Sequence, residues 1–257
     1  MIARDTLHAA VGDLRDATAL LTRLPVYRLM PYIAATDRRR FAWAFPVVGA
    51  GVGAMAAFGH WLFIVAGMPP VLAALWTIVV LLLATGALHE DGLADVADAL
   101  GARGDTAHRL AIMRDSRIGA FGGLSLILSL SIRAGAIAQL PATHIGAALV
   151  IAGAASRGLM LGIMWWLPAA RAEGLGASVA VPYTSAAIAG IVIAALPAAA
   201  TLPLHDAACL IVILGVAGAV IARHARRSFG GQTGDILGAA QQVGECLTMT
   251  FLATALH

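Results

Sequence analysis

Three aspartates at helical spacing are the side chains in this sequence best suited to chemistry. Asp91, Asp95 and Asp98 follow a long apolar stretch, and their i, i+4, i+7 spacing places them on one face of a helix. Carboxylates this close repel one another unless a cation lies between them, and an all-oxygen ligand set is what Mg²⁺ prefers. The pattern predicts a magnesium site for phosphate chemistry at a membrane boundary, with three solvated surface carboxylates as the ordinary alternative.

Two ionisable residues precede this acidic set. Glu90 points away from Asp91 on a helix, so we expect Glu90 to be solvated. His89 is a candidate metal ligand, proton carrier or helix-end residue. The sequence alone does not separate these three roles for His89.

A basic string follows further along the chain. Arg114 and Arg117 are spaced i, i+3 and share a helix face, and the planar guanidinium group matches phosphate oxygens. Asp115 is expected to orient an arginine or to ligate the metal. Gly119 leads into an apolar segment, and backbone N–H groups at a helix start favour anions. The alternative is a basic membrane anchor followed by glycine packing.

A glycine-rich string precedes the last apolar segment. Backbone N–H groups in such turns form concave sites that bind anions. Asp235 is expected either to join a second metal ion or to cap the helix, and a plain capped loop is the alternative. The string consists of Gly230, Gly231, Gln232, Thr233, Gly234 and Asp235.

Two arginines fall inside apolar segments. A charge at the middle of a membrane helix costs about 2.5–3.5 kcal/mol on insertion scales, so it normally faces the interior and has a partner. Neither Arg133 nor Arg157 has an acidic neighbour in sequence, which makes an anionic substrate a candidate partner. Snorkelling is the alternative, for which Arg133 is the better candidate. Elsewhere, Glu173 in the string 171–176 is a candidate base or hydrogen-bond acceptor.

The composition is that of a membrane protein. Of 257 residues, 60% are hydrophobic and 12% are charged, and the mean hydropathy is +0.85. A soluble globular protein carries about 25% charged residues. The arginines lie mostly beside apolar segments, so the basic pI of about 9.4 does not indicate nucleic-acid binding. Cys209 and Cys246 lie in apolar stretches and are expected to be core residues.

Seven segments approach the roughly 20 apolar residues that a spanning helix needs. We therefore expect an all-α, polytopic integral membrane helix bundle that forms one domain over residues 1–257. An N-terminal amphipathic helix at 7–26 lies on the membrane, and a cytoplasmic acidic helix carries Asp91. Gly49, Gly51 and Gly53 are small enough for close helix contact. The predicted spans are 42–66, 70–88, 119–140, 144–167, 185–203, 206–222 and 236–256.

The arginines predict which side of the membrane each loop faces. If the N-terminus is cytoplasmic, the outer loops lie around Pro69, Pro141 and His205 and hold no arginine. The arginines outside the spans then all fall in inner segments, as the positive-inside rule expects. This topology places every acidic and glycine-rich string on the cytoplasmic side.

Taken together, these strings resemble the cobalamin synthase family, the adenosylcobinamide-GDP ribazoletransferases. They occur in the family's order and cover nearly the whole chain. One departure is Ala99, where the family often has glycine. The matching strings are 21–26, 45–49, 89–95 with Asp98, 113–119 with 122–123, 156–158, 171–176 and 230–235.

The resemblance implies the last assembly step of the cobalamin nucleotide loop. A hydroxyl of α-ribazole, or of its 5′-phosphate, attacks adenosylcobinamide-GDP at the phosphorus nearer the corrinoid. GMP leaves, and adenosylcobalamin or its 5′-phosphate forms. The resemblance also implies dependence on Mg²⁺ and a location in the cell inner membrane.

It further implies roles for the residues singled out above, because phosphoryl transfer depends mainly on positioning and charge stabilisation. Asp91, Asp95 and Asp98 hold the metal at the diphosphate. Arg114, Arg117 and Arg157 neutralise charge on the departing GMP, and Asp235 or His89 accepts the proton of the attacking hydroxyl. The expected substrate-binding residues also include Glu173, Gly230, Gly231, Gln232 and Thr233.

Two other classes of membrane protein remain as alternatives. A CDP-alcohol phosphotransferase of phospholipid synthesis carries a comparable carboxylate helix, but Asp-Gly is followed there by Ala-Arg rather than by Leu93-Ala94-Asp95. A transporter would show paired internal repeats, which this sequence lacks. The lipid bilayer is an expected partner, and glycine-rich helix faces permit a homo-oligomer without requiring one.

Overall fold

The computed structural model describes residues 2–29, 37, 39–170 and 181–256 and consists almost entirely of helices. Within these ranges there is no β-strand, and a single isolated bridge joins Ala169 and Gln232. The all-α expectation is therefore confirmed. A 3₁₀ turn at Phe41–Ala44 precedes α3. The helices are α1 Ile2–Leu21, α2 Val26–Leu29, α3 Phe45–Val65, α4 Pro70–Thr85, α5 Leu88–Gly101, α6 Thr106–Ile112, α7 Ala120–Gln139, α8 Ala142–Trp166, α9 Thr184–Thr201, α10 Leu204–Phe229 and α11 Gly234–Ala255.

Five of the described helices are long and apolar enough to cross a membrane: α3 with its 3₁₀ turn, α7, α8, α9 and α10. Helices α4 and α5 would form a sixth if they are one broken span, because they meet at an angle of 93°. This is fewer than the seven spans predicted. Helix α11 coincides with the last predicted segment, but Asp235, Glu245 and two glutamines interrupt its apolar sequence.

The break between α4 and α5 places the acidic helix inside the bundle. Gly86 and Ala87 both adopt left-handed backbone conformations, with φ of 66° and 55°, and this turns the chain sharply. Helix α5 then packs against α7 and α11. His89 and Glu90, in its first turn, are buried. The sequence had suggested that the acidic helix lies at the surface. The structure shows instead that its first turn is buried in the bundle.

The N-terminal helix also differs from the prediction. It begins at Ile2 and ends at Leu21, whereas residues 7–26 were predicted. Pro25 disfavours helical backbone at Leu24, so the helix does not continue to residue 26. Asp13 on this helix is 1% exposed although it is charged. Its carboxylate accepts hydrogen bonds from Arg40 Nε at 3.1 Å and Trp43 Nε1 at 3.0 Å. This charge therefore ties α1 to the 3₁₀ turn rather than facing water.

Helices α3 and α8 cross in backbone contact through glycines. A Cβ atom at Gly49 would overlap the carbonyl oxygen of Gly153, and one at Gly53 would overlap that of Leu149. Close contact was predicted for Gly49, Gly51 and Gly53. Gly51 makes no such contact, because a Cβ atom there would meet nothing within 4 Å.

We expect Gly49→Ala to lower the thermal stability of the protein in detergent, because the extra methyl group forces α3 and α8 apart at a cost of about 1–3 kcal/mol. Gly51→Ala is the matched control on the same helix. It should be neutral or slightly stabilising, since alanine favours a helix over glycine by about 1 kcal/mol. Equal unfolding temperatures for the two variants would contradict this account of the helix crossing.

Candidate active site

Helix α5, which carries the predicted metal ligands, is tied to the start of α7 by Asp98. Its carboxylate accepts hydrogen bonds from the backbone N–H of Gly119 at 2.7 Å and of Gly122 at 2.8 Å. A helix start has unpaired N–H groups and a partial positive charge, so a carboxylate there is stabilising. The glycines predicted to bind an anion near α7 thus bind a carboxylate of the protein itself.

Asp235 lies beside the same helix. A Cβ atom at Gly92 would stand 2.7 Å from the carbonyl oxygen of Asp235, so the backbones of α5 and α11 touch there. Three residues further along α11, Gly238 lies against the backbone of His89. The structure therefore brings Asp235 next to the helix segment that holds Asp91 and Asp95, although about 140 residues separate them in sequence.

The three predicted metal ligands differ in their surroundings. Asp91 is exposed and Asp95 is half-buried, whereas Asp98 serves the start of α7. Among the described residues, no group of three His, Cys, Asp or Glu side chains is arranged to hold a metal ion. Mg²⁺ in phosphate sites is usually bound by one or two carboxylates together with substrate oxygens. The donor chemistry of Asp91 and Asp95 fits such an open site better than a closed cage of three aspartates.

The glycine-rich string forms a clamped turn between α10 and α11. Gly230 ends α10 with a left-handed φ of 80°, and Thr233 caps α11 by accepting a hydrogen bond from Ile236 N at 3.2 Å. The cap is therefore Thr233 rather than Asp235. Gly231 packs against the carbonyl oxygen of Pro168, where a side chain would not fit.

Gln232 is held firmly by its backbone, but its side chain is left without a partner. Its N–H donates to Pro168 O at 2.8 Å, and its carbonyl oxygen accepts from Ala170 N at 2.9 Å. The side chain is 1% exposed, yet neither amide atom has a hydrogen-bond partner within the described structure. An unpaired buried amide costs about 1–3 kcal/mol, which makes Gln232 a candidate for contact with a ligand.

The basic string 113–119 forms the exposed connection between α6 and α7. Asp115 orients Arg117 with a bidentate ion pair whose shortest distance is 2.5 Å, which is one of the two roles predicted for it. This hydrogen bonding lowers the pKa of Asp115 to about 2, so Asp115 is ionised at neutral pH and is unsuited to proton transfer there. Arg114 is exposed on the same connection.

The two arginines inside apolar helices have acidic partners that the sequence did not reveal. Arg133 on α7 is 1% exposed, and it donates to Glu90 Oε1 at 3.0 Å and to Glu245 Oε1 at 3.5 Å. Snorkelling is therefore excluded for Arg133. The expectation that Glu90 is solvated is wrong, because Glu90 is 6% exposed and faces the bundle interior.

Arg157 on α8 belongs to the same buried group. It lies 3.6 Å from Glu245 Oε2 and donates to Ser156 Oγ at 3.2 Å. The sequence predicts a substrate as the partner of Arg157, and the structure supplies partners within the protein as well. Two glutamines on α11 complete the group: Gln241 donates to Glu245, and Gln242 donates to Glu90 Oε1 at 2.9 Å.

His89 lies at the edge of this buried group, within the electrostatic influence of Arg133 and Arg157. Its Nε2 atom is buried and has no hydrogen-bond partner in the described ranges. The residue that sequence reasoning missed is Glu245. Its spacing from Gln241 and its place within an apolar segment were the available signal, since polar residues inside membrane helices tend to be functional. Glu173 and its string 171–176 lie outside the described residues.

The fold and these polar groups define a multi-pass membrane protein whose charged residues gather around a broken helix. The family model described as cobalamin-5-phosphate synthase matches residues 13–253. This chain belongs to the cobalamin-5-phosphate synthase family, as the resemblance of its strings had indicated.

Curated relatives agree over nearly the whole chain. A protein of Bradyrhizobium diazoefficiens is 39% identical over 97% of this chain and 96% of its own length. One of Mesorhizobium japonicum is 41% identical over 96% of this chain and 94% of its own, and one of Rhizobium etli is 39% identical over 95% and 97%. All three are named adenosylcobinamide-GDP ribazoletransferase. No solved structure matches the chain significantly.

Variants of Asp98 separate a capping role from metal binding. We expect Asp98→Ala to destabilise the protein by about 0.5–2 kcal/mol, as loss of a helix cap does. Asp98→Asn keeps one of the two acceptor oxygens, so we expect it to lose less stability than Asp98→Ala and to retain most of the turnover. Stability follows from thermal unfolding, and turnover from product formation per folded protein. A complete loss of turnover in a stable Asp98→Asn variant would instead indicate that the charge binds the metal.

Proposed function

We propose that this chain joins adenosylcobinamide-GDP to α-ribazole, or to its 5′-phosphate, and releases GMP. The observation that carries the proposal is the match of family and relatives along nearly the whole chain. A transferase that breaks a diphosphate needs carboxylates for a divalent cation and arginines for phosphate oxygens. Asp91 and Asp95 on α5 supply the carboxylates, and Arg114 and Arg117 on the connection to α7 supply the arginines. Asp98 binds α5 to the start of α7, directly after that connection.

In this reaction a ribose hydroxyl attacks the phosphorus nearer the corrinoid and the bond to the GMP phosphate breaks. The hydroxyl loses its proton, and the leaving GMP gains negative charge. Catalysis of such a step consists mainly of alignment and charge neutralisation. The chain must therefore hold two large substrates in line and present positive charge to the leaving group.

A magnesium ion would be held by Asp91 and Asp95 together with substrate oxygens, and it would supply neutralisation of the diphosphate charge. Arg117 reaches out from the exposed connection, oriented by Asp115, and Arg114 lies beside it. These two arginines are better placed than the buried Arg157 to meet a nucleotide that arrives from water. Asp235 and His89 remain the candidates for the proton acceptor.

We further propose that the site opens to the cytoplasm from the cell inner membrane. The support is the distribution of arginines, which fall on the same side as the acidic and glycine-rich strings when α4 and α5 together cross the membrane as one broken span. A nucleotide-activated corrinoid and a ribazole are polar molecules made in water, so a cytoplasmic site gives them direct access.

Purified protein tests the proposed function directly. Protein in detergent or vesicles is mixed with Mg²⁺, adenosylcobinamide-GDP and either α-ribazole or its 5′-phosphate, and products are identified by mass spectrometry. We expect GMP together with adenosylcobalamin or its 5′-phosphate. Absence of these products, with turnover of CDP-diacylglycerol and an alcohol instead, would assign the chain to phospholipid synthesis.

Asp95→Asn should reduce turnover by about 10²-fold or more, because it removes a charge that the metal and diphosphate require, while the protein stays folded. Asp105→Asn is the matched control. Asp105 caps α6 by accepting from His108 N at 2.8 Å, and asparagine retains that role. Turnover of the Asp95 variant equal to that of the Asp105 variant would refute the metal assignment.

Gln232→Met should raise thermal stability and lower activity at the same time. Methionine fills a similar volume without an unpaired amide, so the relief is about 1–3 kcal/mol. A substrate that uses the Gln232 amide loses that hydrogen bond, and we expect KM to rise for one of the two substrates. Thermal unfolding and steady-state kinetics measure the two effects, and unchanged kinetics would contradict a role in substrate binding.

A further inference from the structure

Four helices meet at a group of buried charges that the proposed chemistry does not use. Glu90 from α5, Arg133 from α7, Arg157 from α8 and Glu245 from α11 are each at least nine-tenths buried. Two carboxylates and two guanidinium groups balance in charge. The ion-pair distances are 3.0 Å for Arg133–Glu90, 3.5 Å for Arg133–Glu245 and 3.6 Å for Arg157–Glu245.

Such a group is an inefficient way to stabilise a fold. Removing charges from water is costly, and replacing a buried ion pair with apolar residues is often neutral or stabilising. Loss of one partner, by contrast, is strongly destabilising because it leaves a buried charge unpaired. A buried ion group is therefore better suited to enforcing one arrangement of its helices than to adding stability.

The helix that this buried charge group holds in place is α5. That helix follows a sharp break, and its first turn has no side-chain cap at Ala87. Glu90 is the third residue of the helix, and it is bound from both neighbouring helices: Arg133 donates from α7, and Gln242 donates from α11 at 2.9 Å. These bonds therefore oppose fraying or rotation of the uncapped first turn.

A second tie lies two turns further along. Asp98 accepts the hydrogen bonds of Gly119 and Gly122 at the start of α7. Asp91 and Asp95 lie between the two ties, and Asp91 directly follows Glu90 in the chain. Rotation of α5 about its axis would therefore change the direction in which Asp91 and Asp95 point.

We propose that Glu90 is a positioning residue, which uses its buried bonds to Arg133 and Gln242 to set the rotation of α5 and so to aim Asp91 and Asp95 at the substrate. Glu90 itself does not contact substrate. The expected change in kcat rests on the proposed function, whereas the expected change in the rotation of α5 does not.

Glu245 provides a matched control in the same buried group. Both hydrogen bonds of Glu90 run to its Oε1 atom, an acceptor that glutamine would keep, so the replacement is methionine, which removes the acceptor at a similar volume. Glu90→Met and Glu245→Met each remove one carboxylate that faces Arg133, and each leaves one excess positive charge. Both variants should lose thermal stability. Only Glu90→Met removes a bond made by α5 itself, so we expect its kcat to fall about 10²-fold further than that of Glu245→Met, as a misplacement of about 1 Å can cause, with KM changed little.

If either methionine variant fails to fold, Glu90→Asp and Glu245→Asp carry the same comparison. Each keeps the charge and shortens the side chain by one methylene group, so α5 is displaced only in the Glu90 variant. All rates are expressed per folded protein. Equal losses of kcat in the two members of a pair would overturn the proposal.

A labelling experiment tests the rotation of α5 without any substrate. Asp91→Cys is introduced together with Cys209→Ala and Cys246→Ala, and reaction with a hydrophilic maleimide is timed in detergent. We expect Glu90→Met to change the labelling rate severalfold and Glu245→Met to leave it within error. An unchanged rate in the Glu90 variant would refute the positioning role. Absence of product from the unaltered enzyme would refute only the proposed function.

Discussion

Burial of charge inside an apolar helix bundle is the constraint on which the rest of this structure depends. Arg133 and Glu245 cannot leave the interior without crossing lipid, and neither is stable there alone. Their pairing with Glu90 and Arg157 holds α5, α7, α8 and α11 in one position relative to each other. Movement of any of these helices would separate opposite charges in a medium where water does not replace the lost partner.

Glycine residues let the helices pack closely enough to adopt this arrangement. Gly49 and Gly153 bring α3 and α8 into backbone contact, and Gly92 does the same for α5 and α11. The left-handed turn at Gly86 lets α5 begin within the bundle instead of continuing along α4. Apolar helices in lipid gain little from the hydrophobic effect when they associate, so close packing and buried polar bonds must supply the association.

Sequence reasoning failed where the partner of a side chain lay on another helix. The i, i+4, i+7 spacing of the aspartates was visible, whereas the use of Asp98 at the start of α7 was not. Apolar length predicted seven spans, whereas five described helices qualify, or six if α4 and α5 are one broken span; the bend after Thr85 and the polar residues of α11 account for the difference. Glu90 was wrongly expected to be solvated because it points away from Asp91 on the helix. The side chains that bury Glu90 belong to other helices, which the sequence does not place.

The amino-acid sequence by itself determined the class of protein, the approximate helices, the family and the set of carboxylates, arginines and glycines around α5. These depend on composition, local spacing and strings of adjacent residues. Only the tertiary structure decided which charges pair: Arg133 with Glu90 across 43 positions, and with Glu245 across 112. The reason is that helical periodicity specifies the direction of a side chain relative to its own helix axis. The rotation, tilt and neighbours of that axis result from packing between segments distant in the chain.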